Sequence, residues 1–189
     1  MSLEQDIAAA VNTLREGGII LYPTDTIWGI GCDATNETAV AKIYALKKRA
    51  ESKSMIVLLA DERSLLQYIA APDVQVFDFL ETVSKPTTII YDGAIGLADN
   101  VINADGSIGI RICKDELCKA IIKRLGKPLV STSANISGQA SPAFYAEISE
   151  DIKQGVDYIM NHRQNDTSPK LPSTIIKWGD NGVYTVIRP

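Results

Sequence analysis

Residues Met55–Ala60 read MIVLLA, six unbroken apolar positions with charged segments on either side. A strand without polar alternation is one buried on both faces of a sheet. Six residues are also far too few to cross a bilayer. Whatever this chain folds into must therefore cover that strand from both sides, and the flanking sequence has the periodicity to do so.

Ile7, Ala10, Val11 and Leu14 share one helical face, so residues 3–16 are expected to form an amphipathic helix stopped by Gly17-Gly18. GIILYP (18–23) reads as a short buried strand. Asn36 is placed to cap a helix over 37–48 whose inner face is Val40, Ile43, Tyr44 and the stem of Lys47. After MIVLLA come two short helices, about 61–69 and 73–82, then strands at Thr87–Tyr91 and SIGIRI (107–112). Leu117, Ile121 and Leu125 stripe a helix that Gly126 ends, and Leu129–Ser131 is the next strand. VDYIM, STIIKW and VYTVIRP are strand candidates in the tail. Helices and strands interleave throughout, which indicates a single α/β domain. The alternation is irregular, so a mixed, twisted sheet is expected rather than a regular doubly wound one.

The formal net charge of −4 argues against a surface built wholly to hold nucleic acid, and leaves room for a local basic patch. Cys32, Cys113 and Cys118 form no C-x-x-C pair, as expected for reduced thiols in a cytoplasmic setting. The opening MSLEQDIAAA carries acids where a signal peptide needs a basic and then an apolar segment. No G-x-x-x-x-G-K-[ST] is present, Gly29-Ile30-Gly31 lacks the third glycine of a dinucleotide fingerprint, and there is no G-x-S-x-G. A lone His162 leaves little for a Ser-His-Asp triad. Chemistry here must rest on something other than a His, Cys or metal constellation.

Three stretches carry the candidate chemistry, and each also has a purely structural reading. YPTDTIWGIG (Tyr22–Gly31) places Thr24, Asp25 and Thr26 directly after a strand, where open α/β sheets bind ligands; it also reads as a hydroxyl-rich turn with an Asx-type bond from Asp25. LKKRAESKSMIVLL (Leu46–Leu59) gathers Lys47, Lys48, Arg49 and Lys53, four of the chain's 19 Lys and Arg, before the apolar strand. That is either an anion clamp or a helix end complementing its macrodipole. STSANISG (131–138) offers Ser131, Thr132, Ser133 and Asn135 as short donors and acceptors, or as local backbone caps at a strand-to-turn crossover. Arg111 inside SIGIRI is either ligand-facing or, on alternation, turned outward. Pro172-Ser173-Thr174 again puts hydroxyls at a strand start.

Together these segments resemble the YrdC-like threonylcarbamoyl-AMP synthase family. PTDTIWGIG, Lys47-x-Arg49 with Lys53, Gly109-Ile110-Arg111, STSANISG, Pro172-Ser173-Thr174 and a terminal Arg188-Pro189 appear in that family's order over the whole chain. The resemblance implies one domain over 1–189, a twisted, mixed α/β sheet flanked by helices around a deep, positively lined cavity. It implies the conversion of L-threonine, bicarbonate and ATP to threonylcarbamoyl-AMP and pyrophosphate, the first step toward threonylcarbamoyladenosine in transfer RNA. By residue, it makes Lys47 and Arg49 catalytic and sets them with Lys53 on the ATP phosphates and the bicarbonate-derived group. It places Thr26, Ser133 and Ser173 near threonine, with Arg111 against its carboxylate. Asn135 and Arg188 become nucleotide contacts, joined by Ser107. Magnesium would ride on the ATP phosphates without a protein ligand, and no prosthetic group is implied. Further implied partners are the machinery that transfers the threonylcarbamoyl group to tRNA and, as an additional contact, tRNA or double-stranded RNA; no membrane is involved and the setting is cytoplasmic.

The chain departs from the family pattern at Lys48, where glycine is common, and at Val83-Ser84-Lys85-Pro86, where W-P-G-P is usual. Trp28 stands where Tyr is common and Ala143 where Thr is. A rival reading is a non-catalytic paralogue that binds nucleotide or double-stranded RNA. Its S-x-N segment would be degraded, whereas Ser133-Ala134-Asn135 is complete, and net charge −4 weighs against backbone binding. A carbamoyl-phosphate-handling enzyme with a similar domain is a third reading, and it would need accessory domains.

Overall fold

The first helix begins at Ser2, whose hydroxyl accepts from the Gln5 amide while the Gln5 side chain accepts from the Ser2 amide. This reciprocal capping box satisfies two donors that the helix itself leaves free. In the computed structural model, which describes residues 1–50, 55–168 and 170–189, α1 runs Leu3–Arg15. The other helices are α2 (Glu37–Lys47), α3 (Gln75–Thr82), α4 (Glu116–Leu125) and α5 (Glu150–Gly155). Asn36 caps α2 and Asp115 caps α4, and Gly126 closes α4 in the left-handed region at φ 74°.

Nine strands form one mixed sheet among the described residues. They are β1 (Ile20–Tyr22), β2 (Gly29–Gly31), β3 (Ile56–Leu59), β4 (Thr87–Tyr91), β5 (Ile108–Ile112), β6 (Leu129–Ser133), β7 (Tyr158–Ile159), β8 (Thr174–Trp178) and β9 (Tyr184–Arg188). Their order is β7-β1-β2-β6-β3-β5-β4-β8-β9. The β7/β1, β3/β5 and β4/β8 pairs are parallel and the rest antiparallel.

As the apolar run demands, β3 is covered on both sides. Val57 and Leu59 join the core under α2, α3 and α5, with Val40, Ile43, Val76 and Ile152. Leu58 joins the core under α1 and α4, with Ile7, Leu14, Leu117 and Ile121. The α/β class, the mixed sheet and most elements match the sequence reading.

Five elements differ. GIG at 29–31, within the stretch expected to form a hydroxyl-rich turn, is a strand. A Cβ on Gly31 would lie 2.7 Å from the Val130 carbonyl and 2.8 Å from the Tyr22 ring, so only glycine lets β2 pack between its neighbours. β6 continues past Ser131 because Ser133 pairs with Gly29, so the hydroxyls lie in the strand rather than after it. Residues 63–67 form a 3-10 segment instead of a helix over 61–69. Helix α5 was not anticipated, and of VDYIM only Tyr158–Ile159 is strand.

Candidate functional site

On β3, β5, β6 and β8, Val57, Ile110, Val130 and Ile176 face the α2 core. The alternate residues Ile56, Arg111, Ser131, Ser133 and Ile175 wall a cleft of about 240 Å³ on the opposite face. Thr26, Trp28, Gly29, Arg49, Thr132, Ser141, Ser173 and Arg188 also line it, with Ile27, Met55 and Pro172 adding apolar surface. The lining is therefore three guanidinium groups among hydroxyls, with an aromatic and several aliphatic surfaces.

Arg111 sits at its base and is only 2 % exposed, which overturns the outward-facing reading. Its Nη2 pairs with Asp25 Oδ1 at 3.1 Å and its Nη1 donates to Thr26 Oγ1 at 3.1 Å. Its buried Nε has no hydrogen-bond partner among the described residues. A buried cation needs compensation to be tolerated, and Asp25 supplies it. The 24–27 loop that presents Asp25 is held by the Thr24 hydroxyl, not by an Asx bond. Thr24 Oγ1 accepts from the Thr26 amide at 3.0 Å and donates to the Ile27 carbonyl at 2.8 Å. With its proton so used, it accepts from the Thr26 hydroxyl at 2.9 Å, which leaves the Thr26 oxygen open to Arg111.

Arg49 reaches the cleft because α2 ends on Lys48 in the left-handed conformation (φ 49°, ψ 42°), and the Arg49 amide returns to the Tyr44 carbonyl at 3.0 Å. Burial lowers the Arg49 pKa from its ordinary value. Arg188 arrives by another device. Ile176 pairs with Val186, yet Ile175 pairs with Arg188, so Ile187 is an extra residue. This β-bulge re-aims the strand; without it Ile187 would oppose Ile175 and Arg188 would fall on the other face. Arg188 Nε and Nη2 then donate to the Ser173 carbonyl at 3.1 and 2.7 Å. Desolvation, then the Arg111 charge, lower the Arg188 pKa. The Ser173 hydroxyl is bonded to Thr88 Oγ1 at 2.8 Å.

Of the sequence-derived candidates, Thr26, Arg49, Arg111, Ser133, Ser173 and Arg188 thus meet in one cleft. Three described candidates do not wall it. Lys47 is 1 % exposed, with its ammonium on the Ser133 carbonyl and, at 2.7 Å, on the Asn135 carbonyl. Asn135 lines an adjoining hollow of about 220 Å³ with Gln139 and Glu147, sharing Ser141 with the cleft; its Nδ2 donates to the Ile136 and Gln139 carbonyls. Ser107 belongs to a tight turn, bonding Asp105 at 2.6 Å and Asn103 at 3.0 Å. Lys53 lies outside the described residues. The sequence reading missed Asp25 as the partner of Arg111, and missed Ser141, whose Ser-Pro step was visible as a turn but not as a wall. A roomier hollow of about 450 Å³, lined by Asp25, Leu80, Val83, Pro86, Ile112 and Asp115 among others, holds none of the sequence-derived candidates.

A cleft lined by guanidinium groups and hydroxyls on a mixed, helix-covered sheet is the class these features define. The family model described as "Telomere recombination" (Sua5/YciO/YrdC) matches residues 12–189. The chain belongs to the Sua5/YciO/YrdC family. It is 33 % identical over 182 residues to a threonylcarbamoyl-AMP synthase of Idiomarina loihiensis, covering 95 % of this chain and 97 % of that one. It is 36 % identical over 141 residues to the Escherichia coli O9:H4 threonylcarbamoyl-AMP synthase, covering 72 % of this chain and 74 % of the relative. Among solved structures, P. abyssi Sua5 complexed with L-threonine superposes at TM-score 0.86 with 21 % identity, over 100 % of this chain and 55 % of that one. E. coli YciO superposes at 0.80 with 23 % identity, over 99 % of this chain and 89 % of its own. At those identities the structures establish the fold.

Proposed function

We propose that this protein is a threonylcarbamoyl-AMP synthase. The observation that carries the reading is Arg111, a buried guanidinium at the base of the cleft whose Nε–H lacks a partner among the described residues. Such a donor is expensive to leave unmade, and a carboxylate satisfies it. In this reading the threonine carboxylate lies on Arg111, with the Thr26, Ser133 and Ser173 hydroxyls around the amino acid. Arg49 and Arg188 take the triphosphate, and Lys53 belongs with them by its place in the motif. Asn135 faces the nucleoside from the adjoining hollow. The relatives named threonylcarbamoyl-AMP synthase support the assignment.

The chemistry then runs in two steps. The threonine amine attacks the carbon of bicarbonate, forming a C–N bond and releasing water. The resulting carbamate oxygen attacks the α-phosphorus of ATP, and the bond to pyrophosphate breaks. Three anionic species must converge, so the site's contribution is positioning and positive charge placed in advance. Magnesium arrives on the triphosphate and neutralises part of its charge; the described cleft wall, rich in hydroxyls and guanidinium groups, suits phosphate oxygens rather than a divalent cation.

The product is an activated acyl donor, to be consumed by the machinery that transfers the threonylcarbamoyl group to tRNA. With net charge −4, direct contact with tRNA or double-stranded RNA would rest on a local basic patch. No described helix is long and apolar enough to cross a membrane, and a cytoplasmic site of action is part of the proposal. Pyrophosphate release from ATP and magnesium, with L-threonine and bicarbonate omitted in turn, tests the reading. Release is expected only when both are present; release indifferent to threonine would refute it.

A further inference from the structure

Lys47 is the last residue of α2 and its side chain turns inward rather than toward the cleft. Its ammonium donates to the carbonyls of Ser133 and Asn135, while its own carbonyl accepts from the Ser137 amide at 2.8 Å. Three bonds thus tie one helix end to the segment that carries the Ser133 hydroxyl and Asn135. The Asn135 amide also donates to the Ser133 carbonyl at 2.9 Å, so the turn is tight and its two carbonyls converge on the lysine. No carboxylate among the described residues pairs with Lys47. A buried ammonium satisfied by backbone carbonyls is a strut rather than a mobile point charge.

We infer that Lys47 is a positioning residue: its ammonium serves the reaction by locking the Ser133–Ser137 turn between the cleft and the adjoining hollow, and does not touch phosphate. The functional half of this inference rests on the proposed synthase activity; the strut itself does not. Burial, then repulsion from Arg49, lowers the Lys47 pKa to about 8, consistent with an ammonium removed from water and held by neutral acceptors.

The test compares wild type with Lys47→Met, which keeps the apolar stem and removes the charge. Hydrogen exchange of the 133–137 amides should quicken by about tenfold or more, the scale of a hydrogen bond to a charged group, while α1 and α4 stay unchanged. Magnesium-ATP affinity by calorimetry should stay within about threefold, and turnover of pyrophosphate release should fall with little change in the ATP KM. By contrast, Arg49→Met should raise that KM. Unchanged exchange at 133–137 overturns the strut, whatever happens to activity. If Lys47→Met does not fold, the ¹⁵N signal of the Lys47 ammonium in wild type decides: unmoved by saturating magnesium-ATP it supports the inference, and shifted onto phosphate it overturns it. If wild type neither binds ATP nor releases pyrophosphate, the synthase reading fails while hydrogen exchange still reports on the strut.

Discussion

Lys48 holds φ at 49°, where a side chain crowds its own backbone and glycine does not. This residue ends α2 and swings Arg49 into the cleft. Lys48→Gly should therefore stabilise the protein by about 1 kcal/mol, read as a raised urea midpoint with Arg49-dependent ATP affinity intact. Lys47 behaves oppositely, as a buried cation. Its folded pKa of about 8 lies below the free value of 10.5, so the unfolded chain binds more protons between those pH values. Stability should rise with pH through that window, by on the order of 3 kcal/mol from this residue. Urea unfolding at pH 7.5 and 10 checks it: the wild-type gain should exceed that of Lys47→Met, and equal gains would contradict the assignment. Thr26, Arg49 and Ser173 were legible as site residues because hydroxyls and cations at strand or helix ends are conspicuous. Arg111 was ambiguous, because alternation cannot distinguish a solvent-facing position from one opening on a cleft. Its partner Asp25 is 86 positions away, a pairing that only the folded sheet reveals.

At the scale of elements, the β8–β9 bulge is what makes Arg188 a cleft residue. Arg188→Met keeps the bulge and removes the guanidinium from the cleft. ATP affinity should then fall by about tenfold or more, as expected for a lost charged hydrogen-bonding group, with the unfolding midpoint little changed. Retained affinity would show that Arg188 does not serve the nucleotide. The longer, periodic elements α1, α2, α4, β4 and β5 were legible because their own residues specify them. β2 was hidden by two glycines, poor strand formers, of which Gly31 is needed here for close approach to Val130 and Tyr22. The end of β6 was hidden by Ser131, Thr132 and Ser133, which read as turn chemistry until Gly29 supplies a pairing partner.

Across the whole molecule, the α/β class followed from interleaved periodicities, whereas the strand order did not. β7 pairs beside β1, and β8 beside β4, through contacts between distant parts of the chain that local sequence does not encode. Charge is likewise segregated: a chain of net charge −4 lines its cleft with Arg49, Arg111 and Arg188. A cleft walled by one sign of charge focuses its field on entering anions whatever the overall balance. The central claim is that this cleft joins threonine, bicarbonate and ATP in one product. Incubating the protein with ¹³C-bicarbonate, L-threonine and magnesium-ATP, and analysing the products by mass spectrometry, tests it most directly. The expected result is threonylcarbamoyl-AMP carrying a single ¹³C, formed in step with pyrophosphate; pyrophosphate accompanied only by unlabelled AMP, or no turnover at all, would contradict it.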